Sequence, residues 1–175
     1  MNSEPNTAFE RDALKRAPQF GRWANMTPAS VLSTSKSFHR GFELCYGNGL
    51  PANNGVLNAI VPAVVCLAFS IELGFKAILV GCEKPSDGHK FVELFAKLPC
   101  EIQDEIERLV DVENSSFKES LTLVSNAFVE WRYIFEEAGY HSIDIGFLSK
   151  LHAVITQIAE RYVSEQRAKL LAAKA

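Results

Sequence analysis

No Cys-x-x-Cys pair and no histidine at zinc-ligand spacing occur among the four cysteines and four histidines of this chain, which excludes zinc ribbons and fingers. Cys45, Cys66, Cys82 and Cys100 read as reduced thiols. Cys66 and Cys82 fall in apolar helical sequence, where a thiol behaves as a small hydrophobe. The Glu-x-x-His spacing of di-iron bundles is missing too, as are Gly-x-Ser-x-Gly and a Walker A loop. No metal and no cofactor is expected.

Strand signals are also missing. No segment alternates apolar and polar residues over a useful length, and no Asn-Gly hairpin joins β-branched runs. There is no internal repeat and no low-complexity block. Basic excess is absent: 18 Lys and Arg face 21 Asp and Glu, for a net charge of −3, so a broad nucleic-acid footprint is excluded. Local basic clusters at Arg11, Lys15, Arg16 and Arg22, and at Arg161, Arg167, Lys169 and Lys174, read as solvated faces or tails. The opening Met-Asn-Ser-Glu-Pro-Asn has no basic stretch leading into an apolar one, so the expected location is cytoplasmic.

Charge itself is lacking between Glu43 and Glu72. Gly47, Gly49, Pro51 and Gly55 interrupt the first half of that stretch, and Glu72 and Lys76 end the apolar second half before it could cross a bilayer. A buried core helix is expected there, with no membrane span. It begins at Asn54 or Gly55 and reaches about Cys82, apolar on every side over most of its length, which requires other helices around it. Thr27-Pro28 predicts an earlier helix start, a cap followed by proline in the first turn, with the helix running to about Tyr46.

Downstream, a short helix is expected over 89–98 and another over 101–112. Ser116 with Glu119 forms a capping-box spacing, and Phe117, Leu121, Val124, Phe128, Trp131 and Phe135 continue as one apolar seam to Gly139. Ser142 or Asp144 caps a final helix with Leu148, Leu151, Ile155, Ile158 and Tyr162 inward, fraying from Glu165. The reading is all-α: a helical bundle of four or five main helices over 26–165, preceded by an N-terminal arm over 1–25 and followed by a charged tail over 166–175.

Chemistry concentrates in few places. Glu72 and Lys76 stand four apart, the orientation that favours an ion pair. The alternative is that Glu72 orients a cation from another helix, and Arg132 is the candidate. Arg132, followed by Tyr133, is flanked by Phe128, Trp131 and Phe135, and a guanidinium there can clamp a phosphate. His89 follows Gly88 at a helix start. His39 and His152 read as half-buried helix residues without a role. His141 lies past Gly139, where a fold-back of the chain would bring it to Arg132.

Ser70-Ile-Glu72-Leu-Gly-Phe-Lys76-Ala-Ile-Leu79, then Gly88-His89 with Leu94-Phe95 and Leu98, then Phe128 to Glu136, resemble the HEPN superfamily, the higher eukaryotes and prokaryotes nucleotide-binding domains. The resemblance covers roughly 57–163 in element order. It implies a helical bundle that forms a homodimer and belongs to a toxin–antitoxin, phage-defence or RNA-processing setting. Many members are metal-independent endoribonucleases; others serve as binding or assembly modules, and a partner such as a nucleotidyltransferase fits this setting.

The catalytic signature of that family is Arg, four to six residues, then His. Here Arg132 is followed by Tyr133, and His141 arrives only at Arg-x8-His. Histidine matters because it moves protons at neutral pH. The expectation is therefore a non-catalytic or weakly catalytic module that binds RNA, a nucleotide or a protein through Glu72, Lys76, His89, Arg132 and Tyr133. The alternative is an endoribonuclease using Arg132 and His141 across a dimer cleft. A helical bundle with no nucleic-acid role is the third reading.

Overall fold

The computed structural model describes residues 26–47, 56–110, 116–136 and 142–172. The expected arm over 1–25 lies outside them. Every element among the described residues is helical: α1 (Pro28–Gly47), α2 (Val56–Gly81), α3 (Phe91–Ala96), α4 (Cys100–Leu109), α5 (Phe117–Leu123), α6 (Ala127–Arg132), a 3-10 turn (Ile134–Glu136) and α7 (Ile145–Ala172).

Helix α1 starts as its sequence directs. Thr27 Oγ1 accepts from the Ser30 N–H at 3.1 Å, and Ser30 Oγ accepts from the Thr27 N–H at 3.1 Å. Pro28 occupies the first turn, where its missing donor costs nothing. Val31, Leu32 and Phe42 are buried and Phe38 half-buried against α2. Ser35, fully buried, donates to the Ser70 carbonyl of α2 at 2.6 Å, so the one hydroxyl on that face is satisfied.

Helix α2 is the hub. It packs on α1, α7, α6 and α3, and Ala63, Val64, Leu67, Ala68, Ile71, Phe75, Ile78 and Leu79 have no accessible surface. By length and composition, Ala59–Gly81 would suffice to cross a membrane, yet most of it is buried inside the protein. Other helices supply the apolar surroundings that its sequence demands. At Gly74, α7 comes in so closely that a Cβ would fall 2.6 Å from Ile155 Cγ2.

The structure corrects one expected element. The seam from Phe117 to Trp131 faces the core as its spacing requires, but the helix carrying it is broken at 124–126 into α5 and α6. The Ser116–Glu119 capping box forms and starts α5. At the break, the Ser125 carbonyl accepts from the Phe91 N–H at 3.1 Å, and Ser125 Oγ accepts from the Val92 N–H at 3.1 Å. Two free donors at the start of α3 are thereby satisfied by a distant corner of the chain. An unbroken helix would have held that carbonyl for itself.

Helix α7 opens on Asp144, whose Oδ1 accepts from the Phe147 N–H at 2.8 Å, and it continues to Ala172, past the expected fraying point. Arg161 holds Glu105 of α4 in a two-pronged pair at 2.9 and 2.7 Å, and Lys36 of α1 holds Glu160 at 2.6 Å. These exposed pairs orient α7 while contributing about 1 kcal/mol or less each.

Gly74→Ala is expected to destabilise the fold despite alanine's better helix propensity. Overpacking against Ile155 outweighs the propensity gain of about 1 kcal/mol, for a net loss of about 1–2 kcal/mol. A lower urea midpoint at unchanged slope checks this.

Candidate functional site

Glu72 and Lys76 lie one turn apart on the most enclosed part of α2, with 0% and 6% of their surfaces exposed. Lys76 Nζ donates to Glu72 Oε1 at 2.8 Å. The same oxygen meets His89 Nδ1 at 2.9 Å. An ionised carboxylate only accepts, so the shared proton belongs on His89 Nδ1, and Nε2 is the nitrogen left for other partners. Glu72 Oε2 is buried with no partner among the described residues. Glu72 thus anchors one cation from its own helix and one imidazole from the following loop.

That loop, 82–90, is shaped by the end of α2. The Lys84 N–H donates to the Leu79 carbonyl at 2.8 Å and the Glu83 N–H to that of Val80 at 3.1 Å. This is a Schellman termination, with the left-handed position held by Glu83 at φ 56° where glycine is usual. Gly88 takes the second positive φ, 96°, and turns the chain so that His89 faces back to α2. Lys97 fixes the middle of the loop, donating to the Asp87 carbonyl at 2.7 Å and pairing with its carboxylate at 3.1 Å. That lysine holds the Asp87 carboxyl below its usual range.

Between the loop and α2 opens a cavity of about 640 Å³. Lys76, Lys84, Ser86, Glu83, Asp87 and His89 line it, with Met26 at its edge. This volume lies within the range of small-molecule sites. The Lys76 ammonium at its wall has one hydrogen-bond partner among the described residues, Glu72, and a lysine carries three donors. Chemically, the arrangement offers a held cation, which suits an anionic group, beside an imidazole whose Nε2 can accept a hydrogen bond from a ligand.

Arg132 is not part of this cavity. Its guanidinium is exposed and lies over the rings of Phe128 and Tyr133, at 4.9 and 4.6 Å from their centroids. The expected Arg132–Glu72 pairing does not form: Glu72 is enclosed within the bundle, with Lys76 and His89 on its Oε1, while Arg132 is exposed at the end of α6. Stacking on two rings satisfies the guanidinium at the surface without a buried carboxylate. Tyr133 is 43% exposed beside it. The sequence-selected residues therefore divide into two places: Glu72, Lys76 and His89 at the cavity, Arg132 and Tyr133 at the end of α6. His141 lies outside the described residues.

A second cluster carried no sequence signal. His39 of α1 and His152 of α7 stack face to face, ring centroids 3.8 Å apart and planes 3° from parallel. No three-ligand metal group occurs among the described residues.

Comparison of the chain with protein-family models, curated proteins and solved structures finds no match.

Lys76→Met is expected to cost about 3–5 kcal/mol, since Glu72 would keep a buried charge without its cation. The double variant Glu72→Leu/Lys76→Met should recover most of that loss. Urea unfolding of both single variants and the double gives the coupling directly; additive losses would contradict the pairing.

Proposed function

We propose that the chain is a HEPN-like helical module that binds a phosphate-bearing ligand, a nucleotide or an RNA terminus, without cutting it. The observation that carries this reading is the Lys76 ammonium, held by Glu72 at 2.8 Å in the wall of a ligand-sized cavity beside His89. A pre-positioned cation needs no side-chain ordering on binding, which favours affinity. The motif likeness around Glu72, Lys76, Gly88-His89 and Phe128 to Glu136 supports the family assignment. A homodimer, a nucleotidyltransferase-type partner, a defence or toxin–antitoxin setting and a cytoplasmic location belong to the same proposal.

Two observations favour binding over cleavage. Arg132 has no histidine at the family's catalytic spacing. The oriented imidazole, His89, bonds to Glu72, whereas Arg132 stacks on Phe128 and Tyr133.

The test is titration of the full chain with a fluorescent adenine nucleotide and with a short 5′-phosphorylated RNA. Binding is expected for at least one. Lys84→Ala should weaken it about tenfold, the loss of one charge-assisted contact. His89→Ala should weaken it by removing the Nε2 acceptor and the loop's hold on Glu72, and Arg132→Ala should leave it unchanged. No binding by the wild type, or equal binding by all variants, removes the cavity as the site. RNA cleavage by the wild type that disappears in Arg132→Ala and His141→Ala would establish the nuclease reading instead.

A further inference from the structure

The contact between α1 and α7 is carried in part by the stacked imidazoles of His39 and His152. His152 is 6% exposed, and its Nε2 lies 3.2 Å from Thr156 Oγ1 on its own helix. Facing the pair on α1 are Glu43, whose Oε1 is 3.8 Å from His39 Nδ1, and Arg40, which holds the same carboxylate at 2.9 Å. Helix α2, packed against both, carries no charged side chain from Ala59 to Ile71 and only the Cys66 thiol as a titratable group. On α7 itself, exposed Lys150 is two residues away in sequence. Among the described residues, one carboxylate, already engaged by Arg40, thus faces the two rings.

We propose that the His39–His152 stack is an acid-released latch between α1 and α7, closed while His152 is neutral and opened by its protonation. The first proton is accommodated at His39, where Glu43 faces it. A second, on His152, finds a hydroxyl, an apolar wall and another cation 3.8 Å away, so the ring takes it up only by leaving the stack. Burial and the neighbouring ring hold the His152 imidazole down to about 4, and burial lowers His39 as well. The sign follows: the opened form binds more protons than the closed one below the ordinary histidine range, so closure is complete above it and lost progressively as pH falls towards 4.

With an opened-state value of 6.5 and a closed-state value of about 4, the open population rises about 20-fold from pH 7 to pH 5. Hydrogen–deuterium exchange of the full chain, corrected for intrinsic rates, reads this opening. Wild-type amides around His152 should lose protection by that factor while those of α2 keep theirs. His152→Gln, which retains a polar contact for Thr156 and cannot titrate, should show no pH-dependent loss. Unchanged wild-type protection, an equal loss in His152→Gln, or an equal loss in α2 overturns the proposal. Should His152→Gln not fold, ring NMR of the wild type decides. Protonation of His152 that coincides with loss of α7 protection as pH falls towards 4 upholds the latch, and protonation of His152 with α7 still protected overturns it.

Discussion

A carboxylate with no accessible surface must have its charge answered within the protein, and at Glu72 the answer shapes everything around it. Desolvating one ion costs several kcal/mol or more. Lys76, one turn along, supplies the opposing charge without asking any other helix for it. Helix α2 can therefore be enclosed by α1, α7, α6 and α3 over an otherwise apolar surface. The remaining capacity of the same oxygen fastens His89, and with it the loop after α2. Wall and floor of the cavity thus hang from one ion pair in the core.

Much of this was legible in the chain itself. The enclosure of α2 follows from its unbroken apolar character, and the starts of α1, α5 and α7 follow from Thr27-Pro28, Ser116 with Glu119, and Asp144. Those signals are local, written within four residues of where they act. The break at 124–126 was not legible, because its reason is a pair of hydrogen bonds to Phe91 and Val92 more than thirty positions away. Local periodicity reports which face is buried and cannot report whether a carbonyl is wanted elsewhere.

The candidate site divides in the same way. The Glu72–Lys76 pair is readable from an i,i+4 spacing, while the arrival of His89 depends on the Schellman end of α2 and the turn at Gly88. Arg132 misleads because a cation among aromatics reads equally as buried or stacked; two rings at the surface settle it as stacked. His39 and His152 sit on helices far apart in sequence, and only packing makes them neighbours. Several surface cations, including Lys36, Arg40, Lys97 and Arg161, are tied to carboxylates. That arrangement fits a compact ligand better than a polyanion track.

Ser125 has a consequence for the order in which the chain assembles. A helix as short as α3 does not hold together alone in water, and its first two donors are satisfied only once the α5–α6 corner has docked. The start of α3, next to the segment bearing His89, therefore has its hydrogen bonding completed only when elements that follow it in sequence are in place. Phe91, Leu94 and Phe95 then bury α3 in the common core, so the cavity wall is fastened to the bundle by both its hydrogen-bonded start and its apolar face.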